Sequence, residues 1–230
     1  MKLSRRSLFI LLTIVLTIAV DQISKIIVRT YVVPSERSNI IGTYFTLHNV
    51  ENVGAFLGMG SDLSPLLKLI LLLILPIVVL SFVTYHIFKD KSLDTLSVFA
   101  FASIIGGGIA NVFDRVVYGS VTDFFHIDLG GVFRTGIFNM ADLSVTTGMI
   151  LLLLVSLTNL SIIERYYLIA SSDPKLDVDS VLSATSHDVG SQYFSVIYAS
   201  SSTRIFACLI GSCFAFIPYY IETNIPPTQL

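Results

Sequence analysis

The chain has 230 residues, 53% of them apolar and only 13% charged, with a positive mean hydropathy and a formal net charge of −2. That balance lies outside the range of soluble globular domains and makes an integral membrane protein the leading class. Near-neutral charge argues against a nucleic-acid partner. Two cysteines, Cys208 and Cys213, and four scattered histidines (His48, His86, His126, His187) offer neither a metal-binding spacing nor a disulfide framework.

Residues 1–6, MKLSRR, are basic and precede an apolar run from Leu8 to Val20 that resumes at Ile23, Ile26, Ile27 and Val28. Lys2, Arg5 and Arg6 before a short apolar core would also open a cleaved signal peptide. No small-x-small site follows, however, and the run reaches the roughly 20 residues a membrane span needs. The expectation is an uncleaved first helix over 7–29 whose basic end stays in the cytoplasm. Asp21 and Lys25 stand one turn apart and predict an intrahelical ion pair near its outer end.

Residues 30–64 have no helical period and mix Tyr, Thr, Val and Phe with turn formers such as Pro34, Asn39, Gly42 and Gly54. Alternation around Ile41–Leu47 predicts a few short strands, a small platform outside the membrane. Within it, Asn52-Val53-Gly54-Ala55-Phe56 offers a turn at Gly54 and an interfacial anchor at Phe56.

Pro65 to Phe88 reads as the second span, with Lys68 snorkelling at one end and a kink at Pro76. Lys89-Asp90-Lys91 fits a cytoplasmic turn. The third span runs from Leu93 to Val112. Its Gly106-Gly107-Gly108-Ile109-Ala110 segment would let another helix approach closely. Asn111, Asp114 and Arg115 follow on successive turns at the outer end. Between Val116 and Phe138 the chain is outside again, with Val121–Leu129 and Val132–Phe138 flanking a Gly130-Gly131 hairpin turn. The fourth span, Phe138 to Ile163, ends in Glu164-Arg165. Four crossings then put Lys2, Arg5, Arg6, Lys89, Lys91 and Arg165 on the cytoplasmic side. Residues 166–204 are polar and Ser/Asp-rich, and 205–221 are apolar enough for a marginal fifth span or an interfacial helix.

The polar content of 106–144 is expensive at the edge of hydrocarbon: four aspartates (Asp114, Asp123, Asp128, Asp142), two arginines and two asparagines. Asp123 lies just beyond the third span and Asp142 about one turn inside the fourth. Because the hairpin leaves and re-enters on one side, the two carboxyls can meet at the outer surface. Carboxyls in contact at low dielectric share a proton, so one can act as base and the other as acid. Such a pair hydrolyses an amide without a metal or a covalent nucleophile. Two other readings compete. The acids would be separate and interfacial, Asp142 favouring the positive end of its helix, or they would mark the path of a proton-coupled transporter, which calls for internal repeats and acids near the midplane. Helices one and four show no such repeat.

Four segments in order, Asp21-Gln22-Ile23-Ser24-Lys25, Asn52-Val53-Gly54-Ala55-Phe56, Gly107-Gly108-Ile109-Ala110-Asn111-Val112-Phe113-Asp114-Arg115, and Val121-Thr122-Asp123-Phe124 with Phe138-Asn139-Met140-Ala141-Asp142, resemble the lipoprotein signal peptidases (signal peptidase II), intramembrane aspartic peptidases of bacteria. The loop after Asn52 is one residue shorter than in many members. The resemblance implies an all-α integral membrane fold, with a four-helix transmembrane core and a small extracytoplasmic β platform over residues 1–165. Residues 166–230 form an extension without a counterpart. It further implies a catalytic pair, Asp123 and Asp142; substrate-binding residues Asn52, Asn111, Arg115 and Asn139; and structural support from Asp21 and Lys25. Asp114 would support the structure by orienting Arg115 or capping its helix. No metal or cofactor is expected. The expected partners are membrane lipid and diacylglyceryl-modified prolipoproteins, cut by a monomer at the outer face of the inner membrane.

Overall fold

Four helices, each long and apolar enough to cross a membrane, make up the body of the protein, and a three-stranded antiparallel sheet covers one end of it. The computed structural model describes residues 3–54, 63–130 and 133–172, with side chains described up to residue 158. Phe56 and the extension beyond Ser172 lie outside the described residues.

Helix α1 (Arg5–Tyr31) starts at Ser4, whose hydroxyl accepts the Ser7 N–H at 3.0 Å. Strands β1 (Ser38–Ile41) and β2 (Phe45–Asn52) follow as a hairpin, confirming the strand expectation around Ile41–Leu47. Helix α2 (Pro65–Lys89) opens with Pro65 in its first turn behind a Ser64 cap. The sequence predicts a kink at Pro76, and the chain answers with a π-helical stretch over Leu69–Ile74, just before the proline. One extra residue in the turn there absorbs the missing proline N–H.

Helix α3 (Thr95–Tyr118) is capped by Asp94, which accepts from the Leu96 and Ser97 N–H groups, and it ends at Gly119 in the left-handed region (φ 78°). It runs six residues past the Val112 end of the span read from hydropathy and carries Asp114 and Arg115 on its outer turns, as expected. Strand β3 (Val121–Ile127) returns beneath the bundle end and pairs with β2, giving the order β1-β2-β3. The described part of the second limb of the expected Gly130 hairpin is not a strand; it meets β3 and the turn after it through bridges at Phe125–Phe138 and Asp128–Arg134 and through Thr135, whose N–H donates to the Ile127 carbonyl at 2.9 Å. Helix α4 (Met140–Ser172) continues past the Arg165 boundary read from charge.

Helix α3 is the central element, packed against α4, α1 and α2. Glycines make this possible. A Cβ at Gly106 would stand 2.7 Å from Thr17 of α1, one at Gly107 2.5 Å from the Ala141 carbonyl of α4, and one at Gly108 2.6 Å from Leu80 of α2. Three successive glycines thus each serve a different neighbour, the small-residue logic of membrane helix packing. Below them Ile10, Ile14, Val83, Ile87, Phe101, Ile104, Ile105 and Leu152 form the apolar core.

Candidate active site

The strand period of two sorts the sheet's side chains. Val50 pairs with Asp123 and Asn52 with Val121, while Glu51 pairs with Thr122. Asn52 and Asp123 therefore share one face as diagonal neighbours, and Glu51 and Thr122 share the other. On the first face the Asn52 side-chain N–H donates to Asp123 Oδ2 at 2.8 Å, and its own oxygen is fixed by the Gly54 N–H at 2.9 Å.

The start of α4 brings the second carboxyl. Asn139 is its N-cap: its side-chain oxygen accepts the Asp142 N–H at 2.9 Å, and Asp142 Oδ2 accepts the Asn139 N–H at 3.2 Å. This is a reciprocal capping box with aspartate in the third position. The Asn139 side-chain N–H is left pointing away and donates to Asp123 Oδ1 at 2.7 Å. One asparagine thus binds both carboxylates, and the Asp123 carboxyl, only 4% exposed, sits next to that of Asp142. Burial first, and the Asp142 charge second, push Asp123 up to about 7, against the pull of its Asn52 and Asn139 hydrogen bonds.

Asn111 of α3 completes the ring. Its side-chain N–H donates to Asp142 Oδ1 at 2.8 Å, and its oxygen accepts from the Lys25 ammonium at 2.9 Å and from Asn139 at 3.3 Å. Lys25 is fully buried and lies 2.7 Å from both Asp21 and Asp114. The intrahelical pair expected from spacing is present, with Asp114 as a third member from another helix. Asp21 reaches further, accepting the Ala141 N–H at 2.8 Å in the first turn of α4. It ties α1 to the helix that carries Asp142.

Asp114, expected to orient Arg115 or to cap its helix, does something else. It faces Lys25 and accepts from Gln22 at 3.0 Å, because its helical position turns it toward α1. Arg115 instead donates to the Gly54 carbonyl at 3.0 Å and to the Asn111 carbonyl at 3.4 Å, a link from α3 to the loop after β2. Asn52, Asn111 and Asn139, expected to meet substrate, direct their side-chain N–H groups at the two aspartates. Asp128 stands apart, paired with Arg134 at 3.6 Å.

A second polar cluster escaped sequence reasoning. On the opposite sheet face Glu51 accepts from Ser120 and from Thr122, and the Arg29 Nε–H donates to the Thr122 hydroxyl at 2.7 Å with its guanidinium 3.9 Å from the Tyr118 ring centroid. Strand alternation could have placed Thr122 opposite Asp123, but no local signal pairs it with residue 29. Among the described residues no group of three or more His, Cys, Asp and Glu side chains converges to hold a metal ion.

A four-helix membrane core that holds two carboxyls, one buried and one half-buried, between a small sheet and a helix N-terminus defines a narrow class of membrane protein. The family model described as signal peptidase (SPase) II matches residues 13–158, and the chain belongs to that family. It is 36% identical over 142 residues to a lipoprotein signal peptidase of Borrelia duttonii, a match covering 60% of this chain and 82% of the relative. A Pelodictyon phaeoclathratiforme lipoprotein signal peptidase is 36% identical over 149 residues, covering 61% and 85%. Among solved structures, a bacterial membrane enzyme determined by the in meso method at 2.3 Å superposes with a TM-score of 0.59 at 29% identity, over 66% of this chain and 90% of the other.

Proposed function

We propose that the protein is an intramembrane aspartic endopeptidase that removes signal peptides from diacylglyceryl-modified bacterial prolipoproteins, cutting on the amino side of the lipidated cysteine, with Asp123 and Asp142 as the catalytic pair. The observation that carries this reading is the pair itself, bridged by Asn139 and supplied with N–H donors by Asn52 and Asn111. Membership of the signal peptidase II family and the naming of its relatives as lipoprotein signal peptidases support the substrate class.

Both aspartates accept N–H donors on both oxygens, so the donors do not tell them apart; Asp123, pushed up to about 7 by burial and by the Asp142 charge, is taken as the proton-bearing partner. Asp142 takes a proton from water as the hydroxyl oxygen bonds to the scissile carbonyl carbon, and Asp123 donates its proton to the carbonyl oxygen. Collapse of the tetrahedral species breaks the C–N bond, the nitrogen leaves with the proton gained by Asp142, and Asp123 recovers its own. Titration belongs to the pair, and the acid form is lost as pH rises. Arg115, held against the Gly54 and Asn111 carbonyls, is placed to align an extended peptide beside the aspartates.

In this reading the sheet faces the extracytoplasmic side of the inner membrane and the N-terminus the cytoplasm, which puts Lys2, Arg5, Arg6, Lys89, Lys91 and Arg165 on the cytoplasmic side. Residues 1–165 constitute the peptidase unit and 166–230 an extension outside it. The enzyme in this reading works as a monomer.

The test is cleavage of a diacylglyceryl-modified precursor by purified wild-type, Asp123→Asn and Asp142→Asn proteins. Each variant should lose at least about 1000-fold in kcat, the scale of removing one proton-transfer partner. Wild-type turnover by either removes the dyad.

A further inference from the structure

The three asparagines around the dyad share a constraint. A carboxamide can turn its oxygen or its N–H₂ toward a carboxyl, and only the latter stabilises an ionised pair. Each is fixed by a partner that can only donate. Asn52 is set by the Gly54 N–H, Asn139 by the Asp142 N–H and Asn111 by the Lys25 ammonium. Two of these locks are backbone and permanent. The third is a side chain carrying a full charge, buried, and one residue removed from Asp142.

We propose that Lys25 is a positioning residue for the reaction: through Asn111 it fixes the N–H that faces Asp142, and its charge keeps the aspartate pair singly ionised at neutral pH. This rests on the dyad reading above and assigns a reaction role to a residue otherwise explained by its ion pairs. Three donors of the ammonium meet three acceptors, Asp21 and Asp114 at 2.7 Å and Asn111 at 2.9 Å. The two acids would hold a lysine without help, so the bond to Asn111 connects the charge to the site.

Among the described residues, the charged groups around Lys25 come from five elements. Asp21 and Arg29 share α1 with it. Asp114 and Arg115 lie on α3, Asp142 on α4, Asp123 on β3 and Glu51 on β2. Glu51 and Arg29 bind Thr122 on the far sheet face. Arg29 also stands 3.6 Å from Asp114. Attraction from Lys25 lowers the cost of ionising Asp123. Losing that charge makes the Asp123 proton harder to remove, so the alkaline limb of the cleavage profile moves up. Losing the Asp114 charge does the reverse.

The experiment uses full-length protein in detergent or bilayer with the diacylglyceryl-modified precursor, and reads kcat, KM and the pH profile. Lys25→Gln should lower kcat about tenfold or more at unchanged KM, the loss expected for one displaced hydrogen bond, and shift the alkaline limb upward. Asp114→Asn, which leaves Lys25 on Asn111, should lower kcat less than Lys25→Gln does and shift the limb downward. If Lys25→Gln does not fold, Lys25→Gln with Asp114→Asn, which leaves fewer acids unpaired, should show the same loss of kcat. A folded Lys25 variant with wild-type kcat and limb overturns the proposal, and so does an Asp114→Asn limb that stays put. Asp123→Asn and Asp142→Asn are run alongside. If both are inactive while Lys25 variants match wild type, only the role of Lys25 falls; if either is active, the dyad falls.

Discussion

Helices α2 and α3 are 25 and 24 residues long, and the more apolar of the two is the one the protein encloses less: 11% of the apolar window of α2 is buried, against 67% of that of α3. Apolar content therefore reports contact with lipid rather than centrality. The central position of α3 comes from small residues. Ala100, Ala102, Gly106, Gly107, Gly108 and Ala110 let three helices close on it, and it ends in the polar residues Asn111, Asp114 and Arg115. Lipid solvates large aliphatic side chains as well as a protein core does, so helices meet where backbones can approach. The enclosed helix can then hold polar groups that the exposed one could not.

The sharpest test of that contrast is Gly107→Ala. Its methyl carbon would meet the Ala141 carbonyl at 2.5 Å and Val145 at 2.9 Å, and since the first is backbone, α4 itself has to move. Asp142 is the next residue along α4. We expect cleavage to fall by about 100-fold, since a displacement near 1 Å at the reacting groups costs that much. Thermal unfolding of the purified protein should shift down as well. Wild-type cleavage by this variant would mean that the two helices do not set the aspartate geometry.

Gly108→Ala should do less, although its clash is nearly as close. The nearest atoms, Leu80 Cδ2 at 2.6 Å and Cδ1 at 2.9 Å, are the far end of a flexible side chain on α2. Repacking there should cost about 1–3 kcal/mol of stability and leave kcat unchanged, because α2 contributes no residue to the aspartate network. Measured side by side, the neighbouring glycines separate damage to the site from damage to the scaffold. Equal losses of kcat would break the distinction.

The same division explains what the sequence made visible. Spans are legible because about 20 apolar residues suffice to cross, and the sheet because strands alternate. The helices run on past the expected spans, to Tyr118 and Ser172, since a helix continues into water without a change of backbone when its side chains allow it. In the site, the spacing of Asp21 and Lys25 revealed their pair, and Asn139-x-x-Asp142 is a capping signature that could have been read directly. Asp114 on Lys25, Arg115 on Gly54 and Glu51 with Thr122 were not legible, because each joins segments far apart in the chain. The asparagines were expected to bind substrate, and their immediate partners are the carboxyls. Residue type shows that a group can hydrogen-bond without showing to what.

The smallest expected effect lies on α2, where two valines five positions apart have opposite surroundings. Val78 is 59% exposed and Val83 fully buried in the core beside Ile87 and Phe101. Val83→Ala opens a void against α3 and should cost roughly 1–3 kcal/mol, whereas Val78→Ala removes a methyl pair from a face that lipid refills and should stay within about 0.5 kcal/mol. Neither should alter kcat. Both stabilities are read from unfolding midpoints in the same detergent or bilayer. If Val78→Ala were as costly as Val83→Ala, the bare face of α2 would be covered by something other than lipid, and its high apolar content would need another explanation.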